Sequence, residues 1–237
     1  MVKIIHRAHD RGHADHGWLN ANHSFSFANY YHPAKTHFGM LRVLNDDIIA
    51  PGRGFGNHPH DNMEIVTIPL RGSLKHTDSM GNSELIIAGE VQSMSAGKGI
   101  FHSEYNASAD EEINLLQIWV FPKLQNIEPR YEQMIFEKED RKNKFQTLVS
   151  PNNKVDGGMW INQDAWFSLS DLEEGNELTY KVKLDTNGVY LFLIEGEIEV
   201  SDELLVKRDA IGVYDTDNLV VKANKNSTIL LIEVPMN

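Results

Sequence analysis

Short runs of β-branched and aromatic residues, each cut off by glycine, asparagine or aspartate, recur along most of this chain. The runs are Gly39–Leu44, Glu64–Leu70, Leu85–Ala88, Leu115–Phe121, Leu178–Leu184, Val189–Ile194, Glu197–Val200, Leu219–Ala223 and Ser227–Val234. The stops include Gly52, Gly81-Asn82, Gly89, Gly97, Asn187-Gly188, Gly196 and Asp217-Asn218. Branched side chains suit a pleated surface and glycine supplies the positive φ of a tight turn, so the pattern predicts strands joined by turns. Many short strands with regular stops make an all-β sandwich or barrel. Helix is expected only at Glu137–Asn143.

The pattern also echoes itself. Glu64-Ile-Val-Thr-Ile-Pro-Leu-Arg-Gly-Ser-Leu-Lys resembles Val189-Tyr-Leu-Phe-Leu-Ile-Glu-Gly-Glu-Ile-Glu-Val, and Ile87-Ala-Gly-Glu-Val-Gln-Ser-Met-Ser resembles Lys207-Arg-Asp-Ala-Ile-Gly-Val-Tyr-Asp. A repeat of this period predicts two related β domains, residues 1–122 and 123–237, with 123–155 as the connecting segment.

Composition narrows the chemistry. The chain has 237 residues and no cysteine, which excludes disulfides, thiolate metal sites and thiol nucleophiles. Its formal net charge is −12, and both halves are acidic, so a direct nucleic-acid partner is not expected. The basic clusters Arg141-Lys142-Asn143-Lys144 and Lys207-Arg208 sit beside acids and read as solvated faces. The apolar runs are strand-sized, well short of the ~18–20 residues of a membrane span, and the first residues lack the apolar core of a secretory signal. A cytoplasmic protein without a membrane partner is the expectation. All eleven histidines fall between His6 and His102, so the two halves differ chemically.

His58-Pro-His60 follows the glycine-rich Gly52–Gly56 segment, and His102-Ser-Glu104 follows Gly97-Lys-Gly99. Residues i and i+2 of a strand share a face, so each pair offers two ligands to one side. Two such pairs on neighbouring strands would converge as three imidazoles and a carboxylate. Four protein ligands on an octahedral first-row ion leave two positions open, as catalysis requires. Gly97 and Gly99 are expected to position the His102 strand. The competing reading of each pair is two ordinary histidines that happen to lie two apart.

Gly52, His58-Pro-His60, Glu64 and Gly72 resemble the first cupin motif, and His102 with Asn106 resembles the end of the second. His23-Ser-Phe-Ser-Phe-Ala-Asn-Tyr-Tyr31, Arg42–Asp47, Asp78-Ser-Met-Gly-Asn82 and Gln92–Asn106 are, more specifically, similar to the pirin family, densely over about residues 18–122. Pro129-Arg-Tyr131 and Asp140–Asn143 extend the similarity. The chain departs from the usual pattern at Ile68 and at Arg71, where an acidic residue is common; these positions bear on the substrate more than on the metal.

The resemblance implies two jelly-roll cupin barrels in one chain, with one divalent metal held in the N-terminal cupin by His58, His60, His102 and Glu104. Fe(II) is the expected ion; zinc, manganese, nickel, cobalt and copper remain alternatives. It also implies a quercetinase-type dioxygenase acting on a flavonol with O2. Glu104 is then the candidate base for the flavonol hydroxyl proton, or else a plain fourth ligand. An iron-containing regulatory protein that senses redox state and binds other proteins is the second reading. A metal-assisted isomerase or hydrolase is the third, since cupins host many reactions.

Other residues receive plainer readings. Glu64 is expected to be structural or to support the ligands. His23 could face the metal pocket, with a hydrogen-bonded structural histidine as the alternative. His6, His9, His13 and His16 are expected to be exposed. Phe25, Phe27, Tyr30 and Tyr31 should pack an N-terminal arm, and Asp46-Asp47 should make a turn. Two cupins in one chain imitate a cupin dimer, so a monomer is expected.

Overall fold

The computed structural model describes residues 1–237. It is an all-β chain whose strands form two seven-stranded and two four-stranded sheets. In the first large sheet the order is Arg130–Ile135, Glu90–Ser95, Glu64–Arg71, Ile113–Val120, Leu41–Ile49, Leu19–His23 and Gly12–Asp15. Gly54–His60, Ile100–Asn106, Ser73–Asp78 and Ser83–Ile87 form the small sheet facing it. The second unit repeats the scheme. Its large sheet runs Val2–His6, Ala210–Tyr214, Asn187–Glu195, Ser227–Pro235, Trp166–Leu172, Gln146–Ser150 and Met159–Trp160. Its small sheet runs Glu177–Lys181, Asn218–Ala223, Glu197–Val200 and Glu203–Val206.

The sequence echo therefore has a structural counterpart: its segments occupy the same places in the two sheet orders. One expectation needs correction, because each unit is a pair of facing sheets and not a closed barrel. Strands also cross between the sequence halves. Val2–His6 pairs with Ala210–Tyr214, while Arg130–Ile135 pairs with Glu90–Ser95, so each large sheet takes an edge strand from the other half. The largest apolar core, 25 buried residues, lies between the two large sheets and draws Leu44, Ile118, Phe192 and Ile232 together.

Several local expectations are overturned by burial. Asp46 and Asp47 sit inside the Leu41–Ile49 strand and are buried, not in a turn. Asp46 faces the interface, where Arg208 Nε lies 3.0 Å from its carboxylate. Of the basic clusters, Lys142, Lys144 and Lys207 are exposed as expected, but Arg141 is buried against Asp171 and Arg208 also donates to Asn114. Only Lys138–Arg141 is helical within 137–143, as a single 3-10 turn. His6 is buried and bonded to the Tyr190 hydroxyl, whereas His9, His13 and His16 are exposed as expected. Phe25 belongs to the interface core, but Tyr31 is exposed.

The two sandwich interiors differ. The second is filled by 15 apolar residues, among them Tyr180, Leu219 and Val221. In the first, two small apolar clusters are separated along the strands by polar side chains. On the Ile113–Val120 strand, Leu115 belongs to one cluster and Trp119 packs on the other, with Gln117 between them. Buried polar groups are costly unless bonded, so such a layer inside a sandwich marks a functional site.

Candidate metal centre

The layer is assembled by alternation. In Ile100–Asn106, the even-numbered residues are buried and Phe101 and Tyr105 are exposed, so His102 and Glu104 face inward together. The neighbouring strand sets His58 directly opposite His102, and an irregularity between His102 and Glu104 places Phe55 opposite Glu104. An extra residue of this kind bends the strand and re-aims its side chains. The approach is close: a Cβ on Gly54 would come within 2.1 Å of the Glu104 carbonyl oxygen. Gly97 behaves as its position demanded, with φ +50° and no room for a Cβ beside the Ile127 carbonyl.

The ligating atoms of His58, His60 and His102 all lie within 4.8 Å of one another. Ring centroids of His102 stand 4.4 Å from His58 and 4.9 Å from His60. His58 and His60 are half-buried and His102 is buried, so the cluster opens to solvent on the His58 side. Glu104 is not in that triad; it forms a second one with His102 and His76. Reading the sequence for ligands missed His76. Its signal was the same kind as that of His102-x-Glu104: His76-x-Asp78 puts an imidazole and a carboxylate on one strand face.

Electrostatics favour neutral imidazoles. Burial, with His58 nearby, lowers the His60 pKa to about 4. Burial followed by the charges of His58, His60 and His76 lowers His102 to about 2. Neutral rings keep the lone pairs a metal needs. Burial raises Glu104 to about 7, against hydrogen bonds from Gln117 and Thr67. Gln117 Nε2 donates to both Glu104 oxygens at 3.2 and 3.0 Å, and Thr67 Oγ1 donates to Gln117 Oε1. Asp47, facing the same interior, is pushed well above the usual carboxylate range by burial and by Asp46 and Glu104.

A divalent ion fits this donor set. His58 Nδ1 bonds the Gly56 carbonyl at 2.8 Å, which requires the proton there and frees Nε2. His102 Nε2 is buried without any partner, an orphan that a metal would satisfy. Glu64 takes no part, since its Oε2 accepts from Ser95 Oγ and the Asn162 backbone in the interface. His23 takes the bonded reading, 2.9 Å from Asn45 Oδ1. A cavity of about 640 Å³ lies apart from the histidines, in the cleft between the units beside Asp46, Arg141 and Arg208.

Fold and cluster together define a two-cupin protein whose candidate metal-binding groups lie in the first cupin. Comparison with known proteins sharpens this. Residues 5–120 match the pirin family model and residues 147–234 match that of the quercetinase C-terminal cupin domain. A quercetin 2,3-dioxygenase of Escherichia coli K12 is 40% identical over 235 residues, covering 98% of both chains. A pirin-like protein of Caulobacter vibrioides is 41% identical over 222 residues, covering 94% of this chain and 95% of its own. The crystal structure of the bacterial pirin YhhW of Escherichia coli in complex with nickel(II) superposes with a TM-score of 0.93 at 39% identity, covering 99% of both chains. The chain belongs to the pirin family.

Proposed function

We propose that this protein is a metal-dependent dioxygenase that cleaves quercetin-type flavonols with O2, with His58, His60, His102 and Glu104 as ligands and Fe(II) as the working ion. The observation that carries it is the convergence of three imidazoles, one with an orphaned buried nitrogen, beside a buried carboxyl raised to about 7. The full-length likeness to a quercetin 2,3-dioxygenase supports the substrate class. A bound metal would supply open positions and Lewis-acid and redox chemistry for the flavonol hydroxyl and O2.

The chain's own residues do the rest. Glu104 is the carboxylate beside the three imidazoles and would receive the hydroxyl proton. Gln117 holds that carboxylate by both oxygens, and Thr67 holds Gln117. Trp119, with its ring 4.9 Å from His60, and Phe55 next to His58 give an aromatic substrate apolar contact. Residues 1–122 form the catalytic unit in this reading and 123–237 the scaffold, in a cytoplasmic monomer.

Protein purified anaerobically, loaded with Fe(II) and supplied with quercetin in air should turn it over. His58→Ala should abolish turnover, and Glu104→Gln should lower kcat by about 10²–10⁴-fold. Turnover no faster than that of free iron would overturn the enzyme reading and favour the redox-regulatory one.

A further inference from the structure

His76 is absent from the ligand set, yet it is fully buried at the heart of the polar layer. In the small sheet, its strand flanks Ile100–Asn106 on the side opposite His58, with His76 across from Glu104 and Asp78 across from His102. His76 Nδ1 lies 3.5 Å from His102 Nδ1, and His76 Nε2 lies 3.2 Å from Asp78 Oδ2. The side chains of His76 and Asp78 have no solvent exposure.

We propose that His76 is a positioning residue for the metal, the middle member of a chain that runs from Asp78 through His76 to His102. The proton assignment is forced by the ends. Ionised Asp78 accepts only, so His76 Nε2 carries a proton and donates it. A neutral His76 then offers a lone pair at Nδ1, and His102 Nδ1–H donates to it. That leaves the lone pair of His102 on Nε2, the buried nitrogen with no protein partner. His58 reaches the same state through the Gly56 carbonyl. A ligand ring whose far nitrogen donates to a fixed acceptor is locked in tautomer and orientation and becomes more basic.

Three features hold the chain in place. Asp78 Oδ1 accepts from the backbone N–H groups of Met80 and Asn82, and its Oδ2 also accepts from Asn82 Nδ2 at 2.8 Å. The Tyr131 ring lies 4.9 Å from that of His76 and closes the layer. Gln92 Nε2 stands 3.5 Å from His76 Nδ1, a second donor facing the same nitrogen. Tyr131 belongs to the edge strand Arg130–Ile135, so the exchanged strand seals the chain.

This inference rests on the metal reading above, and the test separates the two. Zinc affinity, by competition with a chelator, and the cobalt(II) absorption spectrum are measured for the wild type and for H58A, H76L and H76Q. His76→Leu should weaken zinc by about 10–100-fold and shift the cobalt bands, while His76→Gln, whose amide oxygen can still accept from His102, should recover most of both. If His58→Ala leaves zinc affinity unchanged, the site itself is wrong. If His58→Ala removes zinc but His76→Leu alters neither affinity nor spectrum, the chain is wrong. Should His76→Leu not fold, ¹⁵N spectra of the zinc-loaded wild type decide. They should show His102 metal-bound at Nε2 with a slowly exchanging Nδ1 proton, and coordination through Nδ1 or a freely exchanging proton would overturn the proposal.

Discussion

Glu64 and Glu104 are both buried carboxyls raised to about 7, yet they lie on opposite sides of the first large sheet. Alternation separates them. On the Glu64–Arg71 strand, Val66 and Ile68 join the interface core while Ile65 packs in the sandwich interior, so Glu64 belongs to the interface. One of its oxygens has two donors and the other, Oε1, is buried with none. This has a pH consequence. Between its ordinary value of 4.5 and about 7, the folded chain keeps a proton at Glu64 that the unfolded chain has released. Stability therefore falls as pH rises through that window, by about 1–3 kcal/mol at completion. Urea unfolding of the metal-free protein from pH 5 to 8 should show this slope, to which Glu104 adds in the same sense, and Glu64→Gln should reduce it. An unchanged slope would mean that Glu64 is ionised in the fold throughout.

At the scale of elements, the strands that carry the proposed ligands have the weakest strand signal in the sequence. Gly54–His60 and Ile100–Asn106 lack the branched runs of the other strands because their inward positions hold His58, His60, His102 and Glu104. Polar side chains stand where apolar ones would have announced a strand, as the proposed metal site requires. The alternation itself was legible, and it sufficed to put each pair on one face. Acidic residues favour turns locally, but Asp46 and Asp47 lie within a strand, where Asp46 meets Arg208 across the interface and Asp47 turns into the sandwich interior. The tight pairing of the ligand strands makes a sharp prediction. Gly54→Ala should cost about 1–3 kcal/mol and weaken metal binding, because its Cβ would strike the backbone beside Glu104. Gly56→Ala is the control, with only the Tyr105 hydroxyl near, at 3.7 Å. Unfolding midpoints and zinc affinity of the two variants give the comparison, and equal behaviour would refute the argument.

For the whole molecule, duplication and exchange matter most. In the second unit the strands equivalent to the ligand pair carry Leu178 and Tyr180 opposite Val221 and Leu219. Apolar packing fills the place where the first unit keeps its polar layer, so only the first sandwich bears the cost of that buried polar layer. The exchanged strands and the 25-residue interface core tie the halves together. Residues 1–122 alone would expose that apolar face and lack the Arg130–Ile135 edge strand that carries Tyr131. Expressed separately, this fragment should aggregate or bind the dye ANS as a loosely packed state. A soluble fragment with native zinc affinity would show that the interface is dispensable.

The sequence alone determined the all-β class, the repeat, the family resemblance and the two i, i+2 pairs, because strand alternation and turn chemistry are local properties. Tertiary structure alone decided that Asp46 bridges the units, that edge strands trade places and that His76 stands behind His102. Each of these depends on contacts between residues far apart in the chain, and no local periodicity records which distant strand will lie alongside.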